Sequence, residues 1–261
     1  MILAITGGKG GVGKTSVALS LARKLGVDVF VDADVETPNA AILTGTEMAV
    51  IDRAYKKIPR IDEEKCIRCG LCAQNCPVAA LVFIPGKVPM FFEENCVGCM
   101  LCRDVCPVNA IYEENVEIGV IRKGAWGDIT IYDGVLRPGE EEAAPLVEKL
   151  LNTVPESRNV IIDTAAGIHC NVARALLPAD SVIIVTEPTP YGVHDLLKII
   201  QLVERLEKPY KIYANKWGIS EKYQRRILSI SREKGVELIK IPYKEEIARA
   251  YARGEFIPVI P

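Results

Sequence analysis

No apolar run in the sequence approaches the ~20 residues that a membrane-spanning helix needs, because each is short and interrupted. No charge of one sign dominates either: 32 Lys and Arg stand against 34 Asp and Glu, a formal net charge of −2. The chain therefore offers no broadly basic surface of the kind that holds nucleic acid non-specifically. We expect no secretory leader either, since Met1 runs straight into a strand-like segment, and with no membrane span this leads us to expect a cytoplasmic protein. The stretch from Gly254 to Pro261 carries two prolines and no amphipathic pattern, so we expect no helical membrane-targeting tail. No cysteine follows Cys170.

What is present is a chain of 261 residues, 49% hydrophobic, enough to bury the core of one α/β domain with a small insert. Strand-like apolar runs occur at Ile2 to Thr6, Val27 to Val31, Val160 to Ile162, Ser181 to Thr186, Tyr210 to Tyr213 and Glu237 to Ile241. Helical spacing separates them at Val17, Leu21 and Leu25, from Val193 to Leu206, and from Glu245 to Arg253, with Gly254 placed as a C-cap. This alternation predicts an α/β fold with a doubly wound, mostly parallel sheet. It stops between about residues 61 and 115, where Gly/Pro-punctuated, cysteine-rich sequence repeats itself thirty residues apart. The expected domains are 1–60 joined to 116–261, with 61–115 inserted.

Gly7-Gly8-Lys9-Gly10-Gly11-Val12-Gly13-Lys14-Thr15 follows the first strand and opens the first helix, as a phosphate-binding loop requires. Glycines let backbone N–H groups approach phosphates, and the helix N-terminus adds its positive end. The predicted nucleotide-binding set is Gly8, Lys9, Gly10, Gly11, Val12, Gly13, Lys14, Thr15 and Ser16, with Lys14 on the β/γ-phosphates and the Thr15 hydroxyl on Mg²⁺. A plain glycine-rich turn accounts for neither the Lys-Thr pair nor the place between strand and helix.

With its second lysine, Lys9, the loop resembles the deviant Walker A motif of the MinD/ParA/nitrogenase iron protein superfamily. Asp32-Ala33-Asp34-Val35-Glu36-Thr37-Pro38-Asn39 stands where that superfamily has switch I, and Asp163-Thr164-Ala165-Ala166-Gly167 where it has switch II. The resemblance implies an ATP-dependent homodimer in which Lys9 reaches the partner's nucleotide, Asp34 orients the attacking water and Asp163 holds Mg²⁺ through water. It makes Lys9, Lys14 and Asp34 the catalytic set and gives Asn215 the adenine edge, whose donor and acceptor an Asn side chain matches. As residues alone, Asp32 and Asp34 can equally cap a turn, and Asn215 can form one. Ala165-Ala166 departs from a Pro-Pro that many members carry, which bears on the stiffness of switch II.

Cys66, Cys69, Cys72 and Cys76-Pro77 form one C-x₂-C-x₂-C-x₃-C-P run, and Cys96, Cys99, Cys102 and Cys106-Pro107 form a second. Four thiolates can also hold zinc, but the close spacing and the Cys-Pro signature favour iron-sulfur. The runs resemble bacterial two-cluster ferredoxins, in which the fourth cysteine of each run ligates the other cluster. That implies two 4Fe-4S clusters: one on Cys66, Cys69, Cys72 and Cys106, the other on Cys96, Cys99, Cys102 and Cys76. Between residues 61 and 115 eight acidic residues outnumber four basic ones, a surface that would orient a basic redox partner.

Cys170, just past switch II, is by itself a small hydrophobe, although its spacing from Asp163 resembles the nitrogenase iron protein and marks it as a possible interface or redox cysteine. His169 and His194 read as surface or interface side chains. The expected function is an ATPase, splitting ATP to ADP and phosphate, that couples dimer switching to electron transfer toward a redox protein. The alternative is an ATP-dependent iron-sulfur or metallocofactor assembly factor with its own protein partner. A positioning ATPase is disfavoured by the missing basic and membrane-binding segments.

Overall fold

The computed structural model describes residues 1–156 and 159–260; Pro261, which closes the tail, lies outside the described residues. The chain opens with β1 (Ile2–Gly7), α1 (Lys14–Leu25), β2 (Val29–Ala33) and the short α2 (Ala40–Thr44). A long strand, β3 (Ala49–Ile61), leads out to the cysteine-rich segment with α3 (Leu71–Gln74), the hairpin of β4 (Leu81–Val82) and β5 (Met90–Phe91), a 3₁₀ turn at Glu93–Asn95, and α4 (Leu101–Asp104). The return runs along β6 (Ile111–Trp126), turns at Gly127-Asp128 and continues in β7 (Ile129–Leu136). Gly127 holds φ +59°, a backbone angle that glycine adopts at little cost in a tight hairpin. There follow α5 (Ala144–Thr153), β8 (Val160–Ala166), α6 (Cys170–Leu176), β9 (Ser181–Thr186), α7 (Pro190–Arg205), β10 (Tyr210–Trp217), α8 (Glu221–Lys234), β11 (Leu238–Pro242) and α9 (Glu245–Ala252).

The main sheet has nine strands in the order β11-β10-β9-β1-β8-β2-β7-β6-β3. From β11 to β7 all neighbours are parallel, and β6 and β3 add an antiparallel edge. This is the predicted doubly wound α/β fold. The parallel strands read as continuous apolar runs because both faces are covered. On one face Leu146, Leu150, Leu176, Ile199 and Ile227 from α5 to α8 pack on the strands. On the other, Val17 and Leu21 of α1 pack with Ile241 and the tail residue Val259.

Each predicted strand run falls on or overlaps a strand, but β3, β6 and β7 carry no run that the alternation of strands and helices picked out. β3 and β6 pair from Ala49 opposite Lys123 to Ile61 opposite Ile111, while β7 covers β6 only from Gly119 to Trp126. The outer half of the β3/β6 ribbon therefore projects as a two-stranded arm, and the cysteine-rich segment sits at its tip. Residues 111–115, read as part of the insert, lie in β6. At the end of α9 the cap is Arg253, and Gly254 follows at φ +74°, the left-handed position just beyond the cap.

Candidate nucleotide site and cysteine hollows

The phosphate loop leaves the carboxyl end of β1 and enters α1 through Gly13, whose φ of +94° a side chain would strain. A Cβ at Gly13 would also stand 2.4 Å from the Asn215 amide nitrogen. Asn215, at the carboxyl end of β10, donates to the Val12 carbonyl at 2.8 Å, and its own oxygen accepts from the Lys216 N–H at 2.9 Å. It thereby pins the loop to the sheet while its residue borders the cavity beside the loop.

That cavity, of about 1240 Å³, is lined by Gly10, Gly11, Gly13, Lys14, Thr15 and Ser16 of the loop and by Asp34, and Cys170 and Asn215 border it as well. Its far wall is the carboxyl end of β11 with α9, including Tyr243 and Tyr251. The volume exceeds the few hundred Å³ that suffices for a nucleotide-sized ligand. Of the predicted nucleotide-binding residues, Gly8, Lys9 and Val12 do not line it. Val12 is buried under α1. Gly8 is wedged against Asp195, whose carbonyl a Cβ would meet at 2.5 Å. Lys9 turns inward, its Nζ 2.5 Å from a carboxylate oxygen of Glu187, so in this single chain it points to its own β9 end rather than outward toward a partner.

Three aspartates stand in register across adjacent strands: Asp163 of β8 opposite Asp32 of β2, and Asp32 opposite Asp133 of β7. Their surroundings separate them. Asp133 is held by both nitrogens of the Arg122 fork, at 2.8 and 2.6 Å. Asp32 accepts from the backbone N–H groups of Asp34, Asn39 and Ala40, and so caps the start of α2. Burial, then the Asp163 charge, pushes the Asp32 carboxyl well above the usual carboxylate range. Asp163 is fully buried and neither of its oxygens has a hydrogen-bond partner. Burial pushes its pKa up to about 7, against the pull of the neighbouring Lys14 ammonium. A buried carboxylate without a donor is a site that expects a cation, and Thr15 and Lys14 stand beside it. The residues thus fit Mg²⁺ under a bound phosphate. Asp34, at the cavity wall, is also raised by burial and opposed by Lys14, and its carboxylate accepts from the Thr37 hydroxyl at 3.4 Å.

Cys170 is exposed at the first turn of α6, behind the exposed His169, and His194 is an exposed partner of Asp195. The sequence reading passed over Glu187, which takes Lys9 and Lys216 together. It was findable, since ligand-handling residues gather at the carboxyl ends of parallel strands and Glu187 directly follows β9.

The cysteine-rich tip is a structural repeat. Left-handed residues recur thirty positions apart at Arg68 and Gly98, Gly70 and Met100, and Ala79 and Asn109. The Ala80 and Ala110 N–H groups donate to the Cys76 and Cys106 sulfurs at 3.2 and 3.3 Å. Two hollows result. One is walled by Cys66, Cys69, Cys72 and Cys106 and the other by Cys96, Cys99, Cys102 and Cys76, so the fourth cysteine of each run crosses to the other hollow. Cys72, Cys76, Cys102 and Cys106 pack in one apolar cluster where the hollows adjoin. Among the described residues no three Cys, His, Asp or Glu side chains converge as ligands of a single ion do; the thiols instead surround each hollow, a donor set that fits an iron-sulfur cluster better than a zinc tetrahedron. Burial pushes the Cys102 thiol up to about 11 and those of Cys72 and Cys96 in the same direction, a cost that metal ligation offsets by replacing the proton.

Comparison with known proteins agrees with both halves. The family model of a 4Fe-4S dicluster domain matches residues 59–112. The uncharacterized protein MJ0579 of Methanocaldococcus jannaschii is 38% identical over 262 residues, 98% of this chain and 90% of its own length. The septum site-determining protein MinD of Pyrococcus horikoshii, complexed with Mg-ADP, superposes with a TM-score of 0.58 at 19% identity over 99% of this chain and 86% of its own. A putative plasmid partition protein of Borrelia burgdorferi, bound to AMPPNP, gives 0.53 at 17% identity over 98% and 90%. Identities this low speak for the fold alone. Among the described residues no helix is long and apolar enough to cross a membrane. The chain therefore belongs to the family of the uncharacterized protein MJ0579, and its fold is that of the MinD/ParA-type P-loop ATPases carrying a 4Fe-4S dicluster domain.

Proposed function

We propose that the chain hydrolyses ATP to ADP and phosphate as an ATP-dependent homodimer and couples that cycle to one-electron transfer through two 4Fe-4S clusters. The observation that carries the reading is the unpartnered, buried Asp163 beneath Lys14 and Thr15 at the wall of a nucleotide-sized cavity. Phosphoryl transfer needs positioning and charge neutralisation more than covalent chemistry. Lys14 neutralises the β- and γ-phosphates, Thr15 and, through water, Asp163 hold Mg²⁺, and Asn215 borders the base. Asp34 orients the water that attacks the γ-phosphorus; the bond from that phosphorus to the β–γ bridging oxygen breaks, and the water's protons leave with the inorganic phosphate. Lys9, released from Glu187, serves the partner's nucleotide.

The cysteines Cys66, Cys69, Cys72 and Cys106 hold one cluster, and Cys96, Cys99, Cys102 and Cys76 the other. Clusters held there would supply reversible one-electron storage, with a reduced carrier protein as donor and a second protein as acceptor. The adjoining hollows favour passage between the two. The test is the iron and sulfide content of anaerobic protein, about eight of each per chain, followed by the rate of electron delivery without nucleotide, with ADP, and with ATP on Asp34→Ala. Equal rates in all three conditions overturn the coupling.

A second reading, an ATP-dependent iron-sulfur or metallocofactor assembly factor, is favoured by the exposure of Cys69 and Cys99, which opens one corner of each hollow to an acceptor. Cargo clusters leave for a chelator or an apo-acceptor protein, whereas relay clusters stay.

A further inference from the structure

The inner face of β3 presents Ala54, Lys56 and Ile58 in alternation, all buried, so a lysine stands in an apolar row. Its Nζ donates to Glu140 at 2.9 Å and to the backbone carbonyl of Cys96 at 3.0 Å, and the lysine and glutamate side chains are only 6% and 2% exposed. Such a pair adds little net stability over an apolar one, and its best-attested use is to fix one arrangement. Here it fixes Cys96 against the loop between β7 and α5. The same loop grips the residues just before Cys96, because Arg137 donates to Glu93 at 3.3 Å.

The loop's other contacts lead to the nucleotide cavity. Leu136 N–H donates to the carbonyl of Val35, the neighbour of Asp34, at 2.8 Å. Past Glu140, whose carboxylate also accepts from the Glu142 N–H at 3.2 Å, residues Glu141 to Ala144 line the cavity wall. One short segment thus touches the switch that bears Asp34 and the nucleotide cavity and, through Lys56, is tied to the first cysteine of the second run. The loop lines neither hollow itself; it reaches the second through Lys56, which joins Glu140 to the Cys96 carbonyl, whereas the flank of the Cys66, Cys69, Cys72 and Cys106 hollow is held by Asp62 and Ala110 at the tip of the arm.

We propose that the Lys56–Glu140 pair is the positioning device by which nucleotide acts on the cluster of Cys76, Cys96, Cys99 and Cys102, and that the cluster of Cys66, Cys69, Cys72 and Cys106 lies outside its reach. The inference rests on the coupled reading given under Proposed function. A connected chain of contacts becomes coupling only if nucleotide discriminates between two states of it; here the states are two positions of the 136–144 segment set through the Val35 backbone carbonyl that Leu136 holds.

The experiment is a redox titration of both clusters by electron paramagnetic resonance on Asp34→Ala protein, without nucleotide, with ADP and with ATP. Cys69→Ser and Cys99→Ser assign the signals. A tenfold difference in ATP affinity between redox states is read as ~59 mV, expected on the Cys99 cluster only. In Lys56→Met/Glu140→Leu, which keeps the buried volume apolar, that shift falls to less than a third while ATP affinity and iron content stay within twofold. A shift that survives the double substitution, or that appears on the Cys69 cluster, overturns the proposal and leaves the coupled reading standing. No shift on either cluster of the parent, with electron delivery equally blind to nucleotide, overturns both. Hydrogen exchange on the cluster-loaded protein without the double substitution gives an arm independent of its folding: ATP must change protection at 93–98 and 137–142 and leave 62–72 unchanged, and constant protection at 93–98 overturns the proposal.

Discussion

The Lys9 ammonium lies 2.5 Å from one oxygen of Glu187, and the Lys216 ammonium lies 2.7 Å from the other. Glu187 is only 4% exposed, so a single buried carboxylate holds both lysines beside the phosphate loop, and Lys216 also donates to the Gly11 carbonyl at 2.8 Å. The loop is braced from beneath before any phosphate arrives.

Glu187→Gln should therefore cost about 2 kcal/mol of stability, the scale of a charge-assisted hydrogen bond, measured by denaturant unfolding. Burial raises the Glu187 carboxyl, but Lys216 and Lys9 outweigh it and hold the carboxyl below its ordinary 4.5. A depressed carboxylate stabilises fully above its unfolded value and loses that contribution as pH falls through the folded one. The gap between wild type and Glu187→Gln should accordingly be full at neutral pH and shrink as the medium is acidified below the ordinary carboxylate range. A gap independent of pH contradicts the assignment.

Asp163→Asn should have the opposite sign without ligand. Removing this buried charge should raise the melting temperature of the nucleotide-free protein, because the cost of its burial outweighs the pull of Lys14 and Thr15. Mg-ATP should stabilise the wild type further, and the same substitution should abolish that gain, both read in the same thermal scans.

Lys14→Ala should remove nucleotide binding, while Asp34→Ala should bind ATP normally and hydrolyse it about 10²-fold more slowly, the low end of what a positioned catalytic group contributes. Binding by calorimetry and phosphate release measured on the same preparations separate the two. Hydrolysis at the wild-type rate in Asp34→Ala would remove its water-orienting role.

Gly13→Ala and Gly10→Ala should differ sharply. At Gly13 a methyl group meets Asn215 at 2.4 Å in a left-handed backbone, whereas at Gly10 nothing lies within 4 Å. Gly13→Ala should lose about 1–3 kcal/mol and its nucleotide binding, and Gly10→Ala should stay within about 0.5 kcal/mol of wild type. Equal melting temperatures for the two would refute the packing seen at Asn215.

Cys106→Ser should perturb the cluster held by Cys66, Cys69 and Cys72 and spare that held by its sequence neighbours Cys96, Cys99 and Cys102, because the hollows cross. Cluster-resolved spectroscopy on anaerobic protein reads the outcome, and loss confined to the neighbouring site would refute the crossing.

The parallel sheet was legible because buried strands such as Ser181–Thr186 are continuous apolar runs, and the phosphate loop because Gly, Lys and Thr need no tertiary context to be recognised. The arm was not. β3, Ala49–Ile61, mixes polar and apolar residues without a continuous apolar run and includes Lys56 and Pro59, and only its burial alternates, from Arg53 to Ile58, so it does not match the buried strands that set the expectation. The Lys9–Glu187 and Lys56–Glu140 pairs were equally hidden, since each joins residues far apart in sequence and a charged residue alone predicts solvent. Asp32 shows the reverse case: turn capping was legible in the sequence as one reading of its carboxylate, and its three backbone donors assign it to capping in this conformation.

Ile61 and Ile111 face each other as a strand pair, so the cysteine-rich tip leaves and rejoins the ATPase fold through two backbones about 5 Å apart. To the rest of the molecule the whole tip is topologically a hairpin loop. Loop-closure entropy grows only with the logarithm of loop length, each doubling costing about 0.6 kcal/mol, so the ribbon tolerates a complete folded module almost as readily as a tight turn. The junction is thus a natural splice point, where a module can be gained, lost or exchanged without re-solving the fold that bears it.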